Sequence, residues 1–324
     1  MMRAPSFWWR AKPSLLAHIL SPFGAFYGGI AQYRMERAGQ AASIPVICVG
    51  NPVAGGAGKT PAAIEIARLL ILAGKKPVFL TRGYGGALRG PEKVDVRHHS
   101  AGDVGDEALL LAKIAPCIVS ADRVKGAALA AKHGNAVVMD DGFQNPSLAK
   151  DMVFLVIDSS AGVGNGLCIP AGPLRAPLDP QLERADAVIV VGDERGADWL
   201  KKRKKPRVLR ARLVPDAKAA AHLKGKRVLA FAGIGRPQKF AGTLKGLGAD
   251  VVSLTEFPDH HVFTAADQRR LLDKAAREGL VLVTTEKDRA RLKGELAERA
   301  IALPVRLAFD EPKLVSAALK TLFS

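Results

Sequence analysis

Val49-Gly50-Asn51-Pro52-Val53-Ala54-Gly55-Gly56-Ala57-Gly58-Lys59-Thr60-Pro61 decides how this chain is read. An apolar, β-like run at 44–49 enters it, and a helix-like run at 61–70 leaves it. Strand, glycine-rich turn and helix in that order make a phosphate-binding loop. The glycines let backbone N–H groups close around phosphate oxygens, and the helix N-terminus adds a positive dipole end. Lys59 is placed to reach the outer phosphates, and the Thr60 hydroxyl is placed to hold Mg²⁺. The residues expected to bind a nucleoside triphosphate are Val53, Ala54, Gly55, Gly56, Ala57, Gly58, Lys59 and Thr60.

The loop departs from the common spacing, which wants a glycine where Val53 stands. Its local form, 55–60, resembles the Gly-Gly-x-Gly-Lys-Thr variant of partner-switching NTPases. Those carry a lysine before the two glycines, where this chain has Ala54. An NTPase switch that regulates a protein partner is therefore the alternative reading.

At 324 residues the chain is long enough for two domains with their own cores. Its 48 basic and 31 acidic side chains leave a formal charge of +17, which favours an anionic partner: nucleic acid, an acidic membrane or a phosphorylated substrate. The basic run at 201–212 has no interleaved aromatic residues, so base stacking is not expected and specific nucleic-acid binding is not read. Cys48, Cys117 and Cys168 are scattered, which argues against a disulfide frame or a zinc site. No obligate protein partner is evident.

The first forty residues differ from the rest. Trp8, Trp9, Arg10 and an apolar stretch at 15–30 suit a segment lying in a membrane interface. His18 and Pro22 interrupt the stretch, which falls short of the ~20 clean apolar residues a spanning helix needs. A helix packed on the protein body is the other reading.

Beyond the loop, apolar strands alternate with helices: strands at 77–81, 117–120, 136–139, 152–157 and 187–191, with helices at 108–114 and 122–132. This pattern argues for a parallel sheet covered on both faces. A second, smaller α/β unit begins near Lys226, with strands at 228–232, 250–254 and 280–284, and a final strand and helix. The expected fold is α/β: an N-terminal membrane-associating helix in segment 1–40, a phosphate-loop parallel-sheet domain over 41–214, and a smaller α/β domain over 215–324.

Four further stretches carry chemistry. Asp140-Asp141 ends an apolar strand, where a carboxylate can serve Mg²⁺. Asp103, Asp106 and Glu107 stand at a helix start; one can cap it, and another can take a proton from a hydroxyl nucleophile. Asp259-His260-His261 offers a proton relay rather than a metal site. Arg175, in a proline- and glycine-containing loop, is able to meet a phosphate.

Together these pieces resemble the tetraacyldisaccharide 4′-kinases, the lipid A 4′-kinases of Gram-negative bacteria. The likeness rests on the variant loop with Pro61, Arg82-Gly83-Tyr84-Gly85, Val104-Gly105-Asp106-Glu107, Asp140-Asp141-Gly142-Phe143-Gln144, Pro170-Ala171-Gly172-Pro173-Leu174-Arg175, Phe257-Pro258-Asp259-His260-His261 and Thr285-Glu286-Lys287-Asp288. It runs over nearly the whole chain. It implies transfer of the ATP γ-phosphate to the 4′-hydroxyl of a tetraacylated glucosamine disaccharide 1-phosphate. The place implied is the cytoplasmic face of the inner membrane, with the anionic membrane surface as a partner. It implies Asp106 as base with His260 paired to it, Asp141 and Lys59 at the reacting centre, and Mg²⁺ held by Thr60, Asp140 and Glu107. Arg175, Gln144 and Arg82 are the expected substrate contacts. Two positions depart from the family pattern: Ala57, where a small hydroxyl residue is common, and Gly86, where a basic residue is expected.

Overall fold

The structure, a computed structural model, describes residues 4–193, 195–203 and 205–323. Eight strands precede residue 216: β1 (Val46–Gly50), β2 (Pro77–Thr81), β3 (Glu92–Lys93), β4 (Cys117–Val119), β5 (Ala136–Asp140), β6 (Met152–Asp158), β7 (Ala187–Val191) and β8 (Arg207–Pro215). Five follow: β9 (Arg227–Ala232), β10 (Asp250–Glu256), β11 (Val281–Thr285), β12 (Ile301–Leu303) and β13 (Val305–Phe309). They form a nine-stranded sheet in the order β13-β8-β7-β6-β1-β5-β2-β4-β3 and a four-stranded sheet in the order β10-β9-β11-β12.

The large sheet is parallel from β8 to β4, with β13 and β3 antiparallel at its edges. Its central strands are buried along their whole length and are rich in Val, Ile and Leu, as a sheet covered on both faces requires. The chain leaves β1 for β2 on one side and later returns to β6 on the other. The strand order therefore reverses at β1, and a crevice opens at the carboxyl edge there, where ligands bind in folds of this kind. Register Val49↔Asp140 sets the end of β5 beside the loop that follows β1.

Two features differ from the sequence reading. The basic run at 201–212, read only for its charge, contains the start of a strand at residues 207–215. Its alternation was the available signal: Leu209 and Ala211 are buried while Arg210 and Arg212 face out. Lys204 lies outside the described residues. The final strand and helix, read with the smaller unit, join the large sheet instead. There β13 pairs with β8, and Leu307, Phe309, Val315 and Leu319 enter the core beneath helix Lys59–Leu72.

Residues Leu15–Met35 form one 21-residue helix that runs through Pro22, and the Ser14 side chain caps its start. Its buried residues are Ala17, Gly24, Gly28 and Met35. Small residues are needed on that face. A Cβ at Gly24 would lie 2.7 Å from the Cys168 carbonyl oxygen, and one at Gly28 would lie 2.8 Å from the Cys168 Sγ. The other face exposes Leu15, Leu16, Ile19, Phe23, Phe26, Tyr27, Ile30 and Tyr33. Among the described residues no helix is long and apolar enough to cross a membrane.

Candidate active site

The phosphate loop closes at Gly58, whose φ of 88° places it in the left-handed region and starts helix Lys59–Leu72. A β-carbon at Gly55 or Gly56 would meet nothing within 4 Å, so this backbone faces open space where a ligand can approach. Thr60 and Asp140 are both buried, and the Thr60 hydroxyl donates to Asp140 Oδ2 at 2.9 Å. Asp140 Oδ1 is buried with no hydrogen-bond partner among the described residues. Burial, reinforced by the Glu107 charge, pushes the Asp140 carboxyl up to about 7. A buried hydroxyl–carboxylate pair with a spare oxygen fits a hard cation that brings its own charge.

Asp141 has a φ of 56°, which turns its side chain across the loop. Arg175 grips it with two hydrogen bonds, at 2.8 and 3.2 Å, and Lys59 Nζ lies 3.5 Å from Asp141 Oδ2. Burial alone would raise this carboxyl; the Lys59 and Arg175 charges outweigh that and hold it low. The remaining Arg175 donors tie down the loop itself. Its Nε donates to the Val53 carbonyl at 3.1 Å, and its backbone N–H donates to Pro52 at 2.9 Å. Ala54 donates back to the Pro173 carbonyl. Gln144 is a strut of the same kind, donating to the Asn51 carbonyl and to Gln181. Arg175 and Gln144, expected to face substrate, therefore hold the loop in shape. Arg82 is exposed at the end of β2.

The second group of residues spans the two sheets. Asp106 starts helix Asp106–Ala112 and is only 3% exposed. His260, at a φ of 58°, brings Nδ1 to 3.3 Å from Asp106 Oδ1. Arg291 donates through Nη2 and Nε to Oδ2, at 2.7 and 3.2 Å. Burial would raise the Asp106 carboxyl. The His260 hydrogen bond and the Arg291 and Lys287 charges overcome it and hold it well below the usual carboxylate range. The same hydrogen bond raises His260. Beside this pair, Lys287 donates to Glu107, which the sequence reading gave to Mg²⁺. That carboxylate is already matched by a cation. No group of three His, Cys, Asp or Glu side chains suited to a metal occurs among the described residues.

The three helix-start acids take different partners. Asp103 caps helix Ala101–Val104 in a reciprocal box with Ser100, while Asp106 faces the other sheet. The two histidines also separate. His261 stacks on Phe257 and pairs with Asp267, a packing role, and only His260 reaches Asp106. Gly86 has a steric reason to lack a side chain: a Cβ there would sit 2.6–2.7 Å from the backbone of Asp103, Val104 and Gly105. Sequence reasoning missed Arg291 and Gln181. Arg291 has no local signal beyond its spacing of three from Asp288.

A phosphate loop at the switch point of a parallel sheet, with a buried carboxylate on the same unit paired to a histidine from the small-sheet side, defines a phosphotransferase that moves a phosphoryl group from a bound nucleotide. The comparisons narrow this class. The family described as tetraacyldisaccharide-1-P 4′-kinase, LpxK, matches residues 16–323, and the chain belongs to that family. It is 52% identical over 317 residues to a tetraacyldisaccharide 4′-kinase of Rhodopseudomonas palustris strain BisB5, covering 96% of this chain and 94% of that one. A tetraacyldisaccharide 4′-kinase of Methylobacterium sp. strain 4-46 is 52% identical over 327 residues, covering 99% and 98% of the two chains. Among solved structures, the chain is similar to the "apo" form LpxK from Aquifex aeolicus in complex with ATP. That match has a TM-score of 0.78 and 27% identity, and covers 96% of this chain and 100% of that one.

Proposed function

We propose that this protein transfers the γ-phosphate of ATP to the 4′-hydroxyl of tetraacyldisaccharide 1-phosphate, a step of lipid A biosynthesis. The observation that carries the reading is the Asp106–His260 pair, joined across the two units and adjacent to Glu107, whose charge reaches Lys59 and Asp140 of the phosphate-loop group. A sugar hydroxyl is a poor nucleophile. Asp106, held as a carboxylate, takes its proton while His260 fixes the orientation of that carboxylate. Lys59 neutralises charge that develops on the transferred phosphoryl group, and Asp141 together with Arg175 keeps Lys59 and the loop in register.

Thr60 and Asp140 are the residues we assign to Mg²⁺, on the strength of their buried contact and the spare Asp140 oxygen. Mg²⁺ bound there would neutralise phosphate charge. Glu107, matched to Lys287, would steady the helix that carries Asp106. Arg82, exposed at the same edge, is free to meet the anionic acceptor.

The protein would work peripherally at the cytoplasmic face of the inner membrane. The exposed apolar face of helix Leu15–Met35 supports this, as does the +17 charge toward anionic lipid. The test uses labelled γ-phosphate ATP and the acylated disaccharide in detergent. Label transferred to the 4′-position is the expected result, and absence of transfer by folded protein would sink the reading. Separately, Phe23→Ser with Phe26→Ser should release the protein from anionic vesicles in flotation; retention equal to the unaltered protein would remove the helix from the membrane contact.

A further inference from the structure

We propose that Arg291 is a positioning residue for the transfer: one guanidinium from the small-sheet side holds both the Asp106 carboxylate and the loop that presents His260. The proposal rests on the reading of Asp106 as the group that takes the hydroxyl proton. Arg291 follows helix Glu286–Arg289, and its side chain is 8% exposed. Its donors spread in three directions. Two reach Asp106 Oδ2, at 2.7 and 3.2 Å. Nη1 lies 3.2 Å from Asp288 Oδ1 and 3.4 Å from each of the carbonyl oxygens of Gly233 and His261. The Gly233 carbonyl also accepts the backbone N–H of His260.

The loop that carries His260 at positive φ is thus tied to the same cation that fixes the carboxylate His260 must meet. Asp288, wholly buried, anchors the guanidinium from behind. Thr285 donates to Asp288 Oδ2, and the Gly233 N–H lies 3.1 Å from both of its oxygens. Stability of the small sheet alone would be served by the Arg291–Asp288 contact. The Nη2 and Nε bonds serve a different end, since they cross to the other sheet and hold one oxygen of Asp106 while His260 holds the other. A planar fork of donors can do this, whereas a lysine offers one ammonium that cannot face Asp106, Asp288 and two carbonyls together.

The test is a double-mutant cycle on the full chain with labelled ATP and the detergent-solubilised acylated disaccharide phosphate. Arg291→Met and Arg291→Lys are each made alone and in an Asp106→Asn background. Arg291→Met alone should lower kcat by roughly 10- to 100-fold while KM for ATP moves by less than about twofold, because displacement of a reacting group costs rate rather than nucleotide affinity. Arg291→Lys should fall between. In the Asp106→Asn background, Arg291→Met should cost less than about threefold more, since a group that acts through Asp106 has nothing left to place. Equal losses in both backgrounds would overturn the proposal, as would an Arg291→Met protein with unaltered kcat. If Arg291→Met does not fold, the same cycle with Arg291→Lys decides; full activity of the lysine variant would make the role structural. Near-normal turnover of Asp106→Asn by itself would instead remove the base reading, whatever Arg291 does.

Discussion

Lys59 and Thr60 open the helix that follows β1, and Asp140 and Asp141 stand at the end of neighbouring β5, whereas the group around Asp106 draws His260, Lys287 and Arg291 from chain up to 185 residues away. In the first group the parallel register of β1 and β5 fixes geometry, and backbone hydrogen bonds along the strands make that register stiff. In the second group geometry depends on how the two sheets face each other, held by ion pairs such as Lys287–Glu107 and Arg291–Asp106. The loop half can therefore be damaged only from nearby. The cross-sheet half can be disturbed by any change that shifts one sheet against the other.

The largest expected effect falls in the loop half. Lys59→Ala should cut kcat/KM roughly 10³-fold, as loss of a fixed charge at a developing oxyanion does, with thermal unfolding little changed. Unchanged turnover would break the assignment of that half. Asp106→Ala comes next, with a loss of about 10²-fold from removal of a general base and modest change in ATP affinity. A fall in stability without a fall in turnover would make Asp106 structural. Arg175→Ala should raise KM for ATP about tenfold and destabilise the protein by about 1–3 kcal/mol, since it removes two hydrogen bonds from Asp141 and one from the Val53 carbonyl. Calorimetry and steady-state kinetics read the two effects separately.

The smallest effect sharpens the cross-sheet half. His260 gains Asp106 in the folded state, so its pKa is raised above the ordinary 6.5. Its contribution to stability is full below that ordinary value and is lost as pH rises through the raised one. The unfolding free-energy difference between the unaltered protein and His260→Asn should therefore shrink from about pH 6 to about pH 9. Denaturant titrations at the two pH values measure it. A difference independent of pH would mean that the imidazole acts without its charge.

The loop half was legible because its determinants are local. Gly58, Lys59 and Thr60 are consecutive, and Asp140 announces itself as a carboxylate after an apolar strand. The sheet pattern was legible for the same reason, apart from the two-residue edge strand β3 and from β8, where Arg210 and Arg212 alternate with buried Leu209 and Ala211. Arg175 and Gln144 were visible as polar residues in marked loops, but their partners were not. A guanidinium facing a phosphate and one clamping Asp141 look alike in sequence. Arg291 gave no signal, since its partner Asp106 lies on the far sheet.

What the sequence by itself determined is the phosphate loop, the parallel sheet that carries it and the chemical types at its edge. Strand, turn and helix preferences act over a few residues and need no distant partner. Only the tertiary structure decided which acid caps a helix and which meets His260 and Arg291. It also decided which of two adjacent histidines meets that acid, and that the last strand returns to the large sheet. Those outcomes are settled by burial and by which charges end up within hydrogen-bond reach, and both depend on chain segments far apart in sequence.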